Sequence, residues 1–277
     1  MVCGSYWIAD SGIKKPFIKD KRIGYVDGIK VIEFNLNYSN SDGFFKRTLT
    51  FLKFSLKGVL FALRENYDLI FATSTPLTAS LPGIFAKIFK RKTFVFEVRD
   101  LWPELPKAMG IIKNPITLSL MSLLEYVSYH SADACIGLSP GIVEGIKKRA
   151  PNKKVTMIPN GCDNYIIDST KTDSKNFRAV FTGAHGKANG LNSVLDAAKI
   201  LLDRSIYNIE IYFIGDGSEK ESLIKRAKNQ NLTNCFFLKP MSKVDLFYYL
   251  KSNIDVGLMI LKNIPAFYYG TSPNKFF

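Results

Sequence analysis

Apolar and polar positions fall into blocks along this chain, and the blocks switch between strand and helix period in a regular order. DLIFAT (Asp68–Thr73) predicts a strand, and PLTASLPGIFAKIF after it a helix. TFVFEV (Thr93–Val98) predicts the next strand, and a helix from about Pro115 to Tyr129 leads to the strand ACIGLS (Ala134–Ser139). Helix Gly141–Arg149 and strand Val155–Ile158 follow. These strands are short and apolar without alternation, as expected where helices cover both faces of a parallel sheet. The polar stretch DNYIIDSTKTDSKN (Asp163–Asn176) has neither period and reads as a linker. A second series begins beyond it: RAVFTG, a helix from Gly190, IEIYFIG, a helix over Ser218–Lys228, CFFLKP, a helix over Lys243–Leu250, and DVGLMI. The pattern predicts an α/β protein of two doubly wound, Rossmann-like domains, residues 1–165 and 177–277, joined by a linker at 166–176.

The region before Tyr67 is less regular. VDGIKVIEF reads as a turn and a strand, and MVC as the end of a strand already under way. FFKRTLTFLKFSLKGVLFALR (Phe44–Arg64) predicts a helix whose apolar face is Phe45, Leu49, Leu52, Leu56, Val59, Leu60 and Leu63. Lys46, Arg47, Lys53, Lys57 and Arg64 lie largely elsewhere, with Phe54 and Phe61 among them. Two readings stay open for that helix. It is a core helix with a solvated basic face, or its basic and aromatic face meets an anionic membrane.

Composition narrows the class. The 277 residues leave room for two domains, and 47% hydrophobic with 22% charged residues describes a globular chain. No apolar run is long enough to span a bilayer, and the first residues lack the pattern of a signal peptide. Cys3, Cys135, Cys162 and Cys235 are scattered without a CxxC pair, which suggests reduced thiols in a cytoplasmic protein. With two histidines, a histidine-rich metal site is not expected. The net charge of +14 calls for an anionic partner. No helix-turn-helix, RRM or zinc-finger signature is present, so nucleic acid is set aside in favour of an anionic membrane surface or a phosphate-bearing substrate.

Three segments carry candidate chemistry. FTGAHGKANGLNSVLDAA (Phe181–Ala198) reads as strand, glycine loop and helix. Its Gly183, Gly186, Asn189 and Gly190, with Lys187 between them, would put backbone N–H groups and a cation at a helix N-terminus, a natural diphosphate site. The alternative is a plain turn whose glycines relieve strain, with His185 a solvated loop residue. Gly215-Asp216-Gly217 ends the next strand, where an acidic residue would hold a ribose in a dehydrogenase, although the glycine spacing is not GxGxxG. In FEVRDLWPELP (Phe96–Pro106), Arg99 and Asp100 stand at a strand's carboxyl end, which suits a cleft site. The alternative there is a salt-bridged loop capped by a buried tryptophan. Ser139-Pro140-Gly141 and Asn160-Gly161 are further strand ends of the same kind.

Taken together, FATSTPL, FEVRDLWPE, GLSPG, IPNGCD, FTGAHGKANGL, FIGDG, DVGLMIL and SPNKFF, in this order, resemble the bacterial GT-B glycosyltransferases of family 4. The nearest branch is that of the fucosamine and N-acetyl-sugar transferases of capsule and O-antigen synthesis. The resemblance implies retaining transfer from a nucleotide diphosphate sugar, a UDP-sugar, to a saccharide or polyisoprenyl-linked acceptor at the inner membrane face, with no obligatory metal or other cofactor. It implies that Lys187 and the Gly183–Gly190 backbone hold the donor diphosphate. Gly215, Asp216 and Gly217 line the nucleoside, Lys275 of SPNK lies in the donor segment, and Arg99 and Asp100 face the acceptor. The family has a strand and glycine-rich loop before the point where this chain begins, and helices after the point where it ends, so the expectation is a fold incomplete at both termini. A sugar-nucleotide epimerase, or an inactive fragment that still binds nucleotide, are the alternatives.

Overall fold

The computed structural model describes residues 1–6, 11–38, 42–161 and 170–270. Lys275 and the rest of SPNKFF, together with Cys162 and Asp163, lie outside the described residues. The chain divides into two compact units. One is Met1–Pro159 with a returning stretch that begins at Pro265, and the other is Asn160–Ile264.

In the first unit β4 (Leu69–Thr73), β5 (Thr93–Val98), β6 (Ala134–Gly137) and β7 (Val155–Met157) form a parallel sheet in the order β4-β5-β6-β7. Helices α2 (Leu81–Lys90), α4 (Pro115–Ser131) and α5 (Pro140–Arg149) connect its strands, and a short helix α3 (Glu104–Ala108) follows β5. Phe94, Phe96, Val98, Tyr129, Cys135, Ile142 and Ile146 are buried together. Gly83 allows α2 to lie on this core, because a β-carbon there would fall 2.2 Å from the Phe94 ring. Asn114 starts α4 by accepting from the N–H groups of Ile116 and Thr117, with Pro115 in the first turn.

The first residues do not join this sheet. β1 (Val2–Tyr6), β2 (Lys21–Val26) and β3 (Ile29–Tyr38) make a separate sheet, order β1-β3-β2, with β1 parallel and β2 antiparallel to β3. The turn and strand read in VDGIKVIEF are the Asp27-Gly28 turn and the start of β3. Both residues have positive φ, 49° and 77°, and so fold β2 directly back on β3.

Helix α1 (Phe44–Arg64) forms as predicted, but of its predicted apolar face only Val59 is buried and Leu63 half-buried. Ser55, Val59 and Ala62 are buried, whereas Phe45 is 83% and Leu56 62% exposed, and Leu49, Leu52 and Leu60 are exposed with them. The reason is close approach: Gly58 lies against Pro82 of α2, with a built β-carbon only 2.8 Å from the proline ring. The small-residue face Ser55-Gly58-Ala62 permits this contact, and the bulky stripe does not. Phe54 and Phe51 are half-buried rather than solvent-facing, and meet Phe34 and Tyr38 of β3 at ring distances of 6.4 and 5.3 Å.

The second unit holds β8 (Phe177–Thr182), β9 (Ile209–Ile214), β10 (Cys235–Leu238) and β11 (Val256–Gly257), all parallel, in the order β10-β9-β8-β11. Helices α6 (Asn192–Asp203), α7 (Lys220–Asn229) and α8 (Lys243–Asn253) connect them. Phe181, Leu191, Leu195, Phe213 and Leu223 form the core. From Thr170 the end of the predicted linker runs along this unit, where the Thr172 N–H donates to the Ser252 carbonyl at 2.7 Å. The strand order steps outward from β8 and then returns to its other side at β11. The carboxyl ends of β8 and β11 therefore flank a topological switch point, where ligands of such sheets bind.

Candidate functional site

The glycine loop Gly183–Gly190 leaves β8 at that switch point. It is laced to the loop after β9 by three backbone bonds. Gly183 N–H donates to Ile214 O at 2.9 Å, His185 N–H to Asp216 O at 2.8 Å, and Glu219 N–H to His185 O at 2.9 Å. Gly215 and Gly217 make this approach possible. Their φ values are 145° and 157°, and β-carbons there would stand 1.9 Å from the Gly183 carbonyl oxygen and 2.7 Å from the His185 carbonyl group.

This lacing settles one open reading and narrows one expectation. His185 is not a solvated residue: it is 0% exposed, with its ring among Phe181, Phe213 and Phe237 at 6.1, 6.3 and 6.4 Å. The two bonds of its backbone to the neighbouring loop turn its side chain under the surface. The backbone cradle is also narrower than expected. The N–H groups of Gly183, His185 and Asn189 are engaged within the chain, the last to Gly186 O at 3.1 Å. The Asn189 side chain donates to Ala184 O at 2.7 Å, and Asp216 accepts from the Gly217 N–H at 2.8 Å. Both side chains thus shape the loops. Lys187 stands exposed, with no ion pair among the described residues.

Two lysines emerge that sequence reasoning did not single out. Lys262, beyond β11, is exposed and donates its N–H to Ala188 O at 2.8 Å, which sets it beside the glycine loop. The Lys220 ammonium donates to the carbonyls of Gly215 at 2.7 Å and Leu238 at 2.9 Å, tying the β9 loop to the end of β10. Only the strand order makes Lys262 a neighbour of Lys187. A hollow of about 260 Å³ runs along β8 and β11, lined by Val180, Thr182, Leu250, Leu258 and Met259 among others, and does not include the loop glycines.

In the first unit the candidate residues leave the end of β5. Arg99 N–H donates to the Ser74 hydroxyl at 3.0 Å, and its guanidinium lies 3.8 Å from Glu97. Burial pushes the Asp100 carboxyl up, opposed by Arg99 and by a hydrogen bond from Thr75. Beyond it Leu101 is buried against Gly145 of α5, where a β-carbon would come within 2.4 Å of the leucine side chain. Glu104 then pairs with Arg149, which also meets Glu125 at 2.9 Å. The turn Ser139-Pro140-Gly141 is covered by the chain itself. The Ser139 hydroxyl donates to Tyr269 O at 2.9 Å, and a β-carbon on Gly141 would lie 2.0 Å from that oxygen.

The sequence pattern of the glycosyl transferase 4-like domain matches residues 20–161, just over half of the chain, and that of the glycosyl transferases group 1 matches residues 164–261. The chain belongs to the glycosyl transferase 4-like family, and its α/β architecture of two parallel-sheet units is of the GT-B class. No curated protein matches it in sequence. Among solved structures it is similar to the N-terminal domain of Candida albicans trehalose-6-phosphate phosphatase. The TM-score there is 0.58 and the identity 11%, over 81% of this chain and 57% of that one. It is also similar to a mutant of S. aureus TarM, solved with Fondaparinux, alpha-GlcNAc-glycerol and UDP. That match has a TM-score of 0.50 and 13% identity over 68% of this chain and 37% of that one. The chain thus spans well under two thirds of the length of either structure.

Proposed function

We propose that the chain moves a sugar, with retention, from a nucleotide diphosphate sugar to a saccharide or lipid-linked acceptor in cell-surface polysaccharide synthesis. The observation that carries this reading is Lys187, an exposed cation on a tightly laced glycine loop at the switch point of a unit matched by the group 1 glycosyl transferases. Breaking the sugar–phosphate bond leaves negative charge on the diphosphate, and a cation fixed there stabilises that charge as it develops. Lys187 would supply it, with Lys262 beside the loop. UDP is the nucleotide of choice because the TarM relative is solved with UDP. Residues 177–277 would bind the donor, with Gly186, Gly190, Gly215, Asp216, Gly217 and Lys275 around it. Residues 1–165 would bind the acceptor, with Arg99 and Asp100 at the β5 end. Lys187→Ala is expected to weaken UDP binding by about 1.5–3 kcal/mol, the size of a charge-assisted hydrogen bond, without loss of folding. Calorimetry on both proteins tests it, and equal affinities would remove Lys187 from the phosphate site.

The same reading places the enzyme on the cytoplasmic face of an anionic membrane. Its support is now the exposed apolar stripe of α1 rather than the basic face. Lys46 and Lys57 pair with Asp42 and Asp20, and the Arg47 guanidinium lies over the Tyr38 ring. An apolar helical stripe beside lysines suits the interface of anionic lipid. The double variant Leu52→Glu/Leu56→Glu is expected to lose co-sedimentation with phosphatidylglycerol vesicles. Unchanged co-sedimentation would exclude α1 as the contact.

A further inference from the structure

The segment that carries Arg99 and Asp100 runs on into a turn held by a partly buried ionic cluster. Glu125, on α4, is 0% exposed. It accepts from the Tyr129 hydroxyl at 2.7 Å. Arg149 of α5 meets the other Glu125 oxygen at 2.9 Å, donates to Glu104 on the far side of the turn, and donates to the Ser122 hydroxyl at 3.1 Å. Leu101, packed over Gly145, closes the gap between these anchors. Helix α5, with Glu125 of α4 behind its arginine, therefore holds the turn at Leu101 and at Glu104.

Stability alone is a poor reason for this arrangement. Two carboxylates on one partly buried guanidinium cost desolvation, and apolar replacements of such clusters are often neutral or stabilising. An apolar side chain at position 125 could not hold the Arg149 guanidinium, and so could not keep it on Glu104 of the turn. We infer that Glu125 is a positioning residue: through Arg149 and its hold on Glu104 it fixes where the β5 loop places Asp100. The inference rests on the reading of Asp100 as an acceptor-side group.

A second property follows from the surroundings of Glu125. The titratable groups facing it are Arg149, Glu104 and Tyr129, with Cys135 next to Tyr129. Burial pushes the Glu125 carboxyl up to about 7, against the pull of the Tyr129 hydroxyl and Arg149. Its charge, and with it the pull of Glu125 on Arg149, is expected to change near neutral pH.

The test uses the whole chain carrying Trp7→Phe, which leaves Trp102 as the sole tryptophan. Trp102 emission and UDP release from UDP-N-acetylglucosamine are followed from pH 5 to 8.5 in this parent, in Glu125→Gln, in Glu125→Ala and in Asp100→Asn. The expected result is an emission transition near pH 7 in the parent that is absent from Glu125→Gln. Glu125→Ala should lower kcat at least tenfold with KM for the donor within twofold. Glu125→Gln, which keeps an acceptor for the Tyr129 hydroxyl and for Arg149, should recover most of that loss. An emission transition that persists in Glu125→Gln would overturn the inference, whether or not the preparation releases UDP. So would full turnover by Glu125→Ala where Asp100→Asn is impaired. Full turnover by Asp100→Asn would instead overturn the reading of Asp100 and leave the anchoring of the loop to the fluorescence.

Discussion

Gly215→Ala is expected to destabilise the second unit by about 3 kcal/mol or more and to abolish UDP binding. The residue sits at φ 145°, where an L side chain is strained, and its β-carbon would stand 1.9 Å from a backbone oxygen of the glycine loop. Backbone cannot swing aside as a side chain does. The bonds from Gly183 to Ile214 and from His185 to Asp216 must therefore stretch, and Lys187 loses its support with them. Gly186→Ala is the control: φ is −113° and nothing lies within 4 Å of its β-carbon, so its stability should stay within about 0.5 kcal/mol. Urea unfolding and UDP calorimetry on both variants check the contrast. Equal stability of the two would mean that the loops are not laced as described.

Arg149→Ala is expected to destabilise the first unit by about 2–4 kcal/mol at pH 8 and by clearly less at pH 5. Removing the guanidinium leaves Glu125 buried without its cation, the costly half of a broken pair. The pH dependence has a definite sign. The folded-state pKa of Glu125 is raised to about 7 from an ordinary 4.5, so the folded protein binds more protons than the unfolded chain between those values. Stability from this group is therefore fully present below about pH 4.5, falls as pH rises toward 7, and then levels. Without Arg149 the carboxyl rises further and the fall continues above 7. In Glu125→Gln the slope from this group disappears. Melting temperatures of the three proteins at pH 5, 6.5 and 8 would show these slopes. An Arg149→Ala penalty independent of pH would mean that Glu125 does not titrate there.

The strand–helix order was legible because its signals are local. TFVFEV is β5 residue for residue, and the predicted helix starts and strand ends from Leu69 to Ile214 lie within a few residues of those found. Caps such as Asn114 and Ser139, each followed by proline, announce α4 and α5 in the sequence itself. The glycine loop was legible in the same way, as a break between two periodic runs. What that loop touches was not. The burial of His185, the use of its amide by Asp216 and the nearness of Lys262 all depend on how β9 and β11 stack beside β8, and no spacing along the chain encodes that order.

Helix α1 marks the same boundary most clearly. Its period and length were determined by the sequence alone, because helix periodicity is a property of the chain's own backbone geometry. Which side is buried was decided by Gly58 against Pro82, a contact between helices that lets small residues approach and turns Phe45, Leu49, Leu52, Leu56 and Leu60 outward. Glu104, Glu125 and Arg149 lie far apart in sequence and read separately as ordinary surface charges. Only the packing of α3, α4 and α5 under the β5 loop gathers them, and burial then moves Glu125 into the neutral range. Local alternation thus sets what each segment becomes, while burial and close approach, which require distant segments to meet, decide which of its side chains can do chemistry.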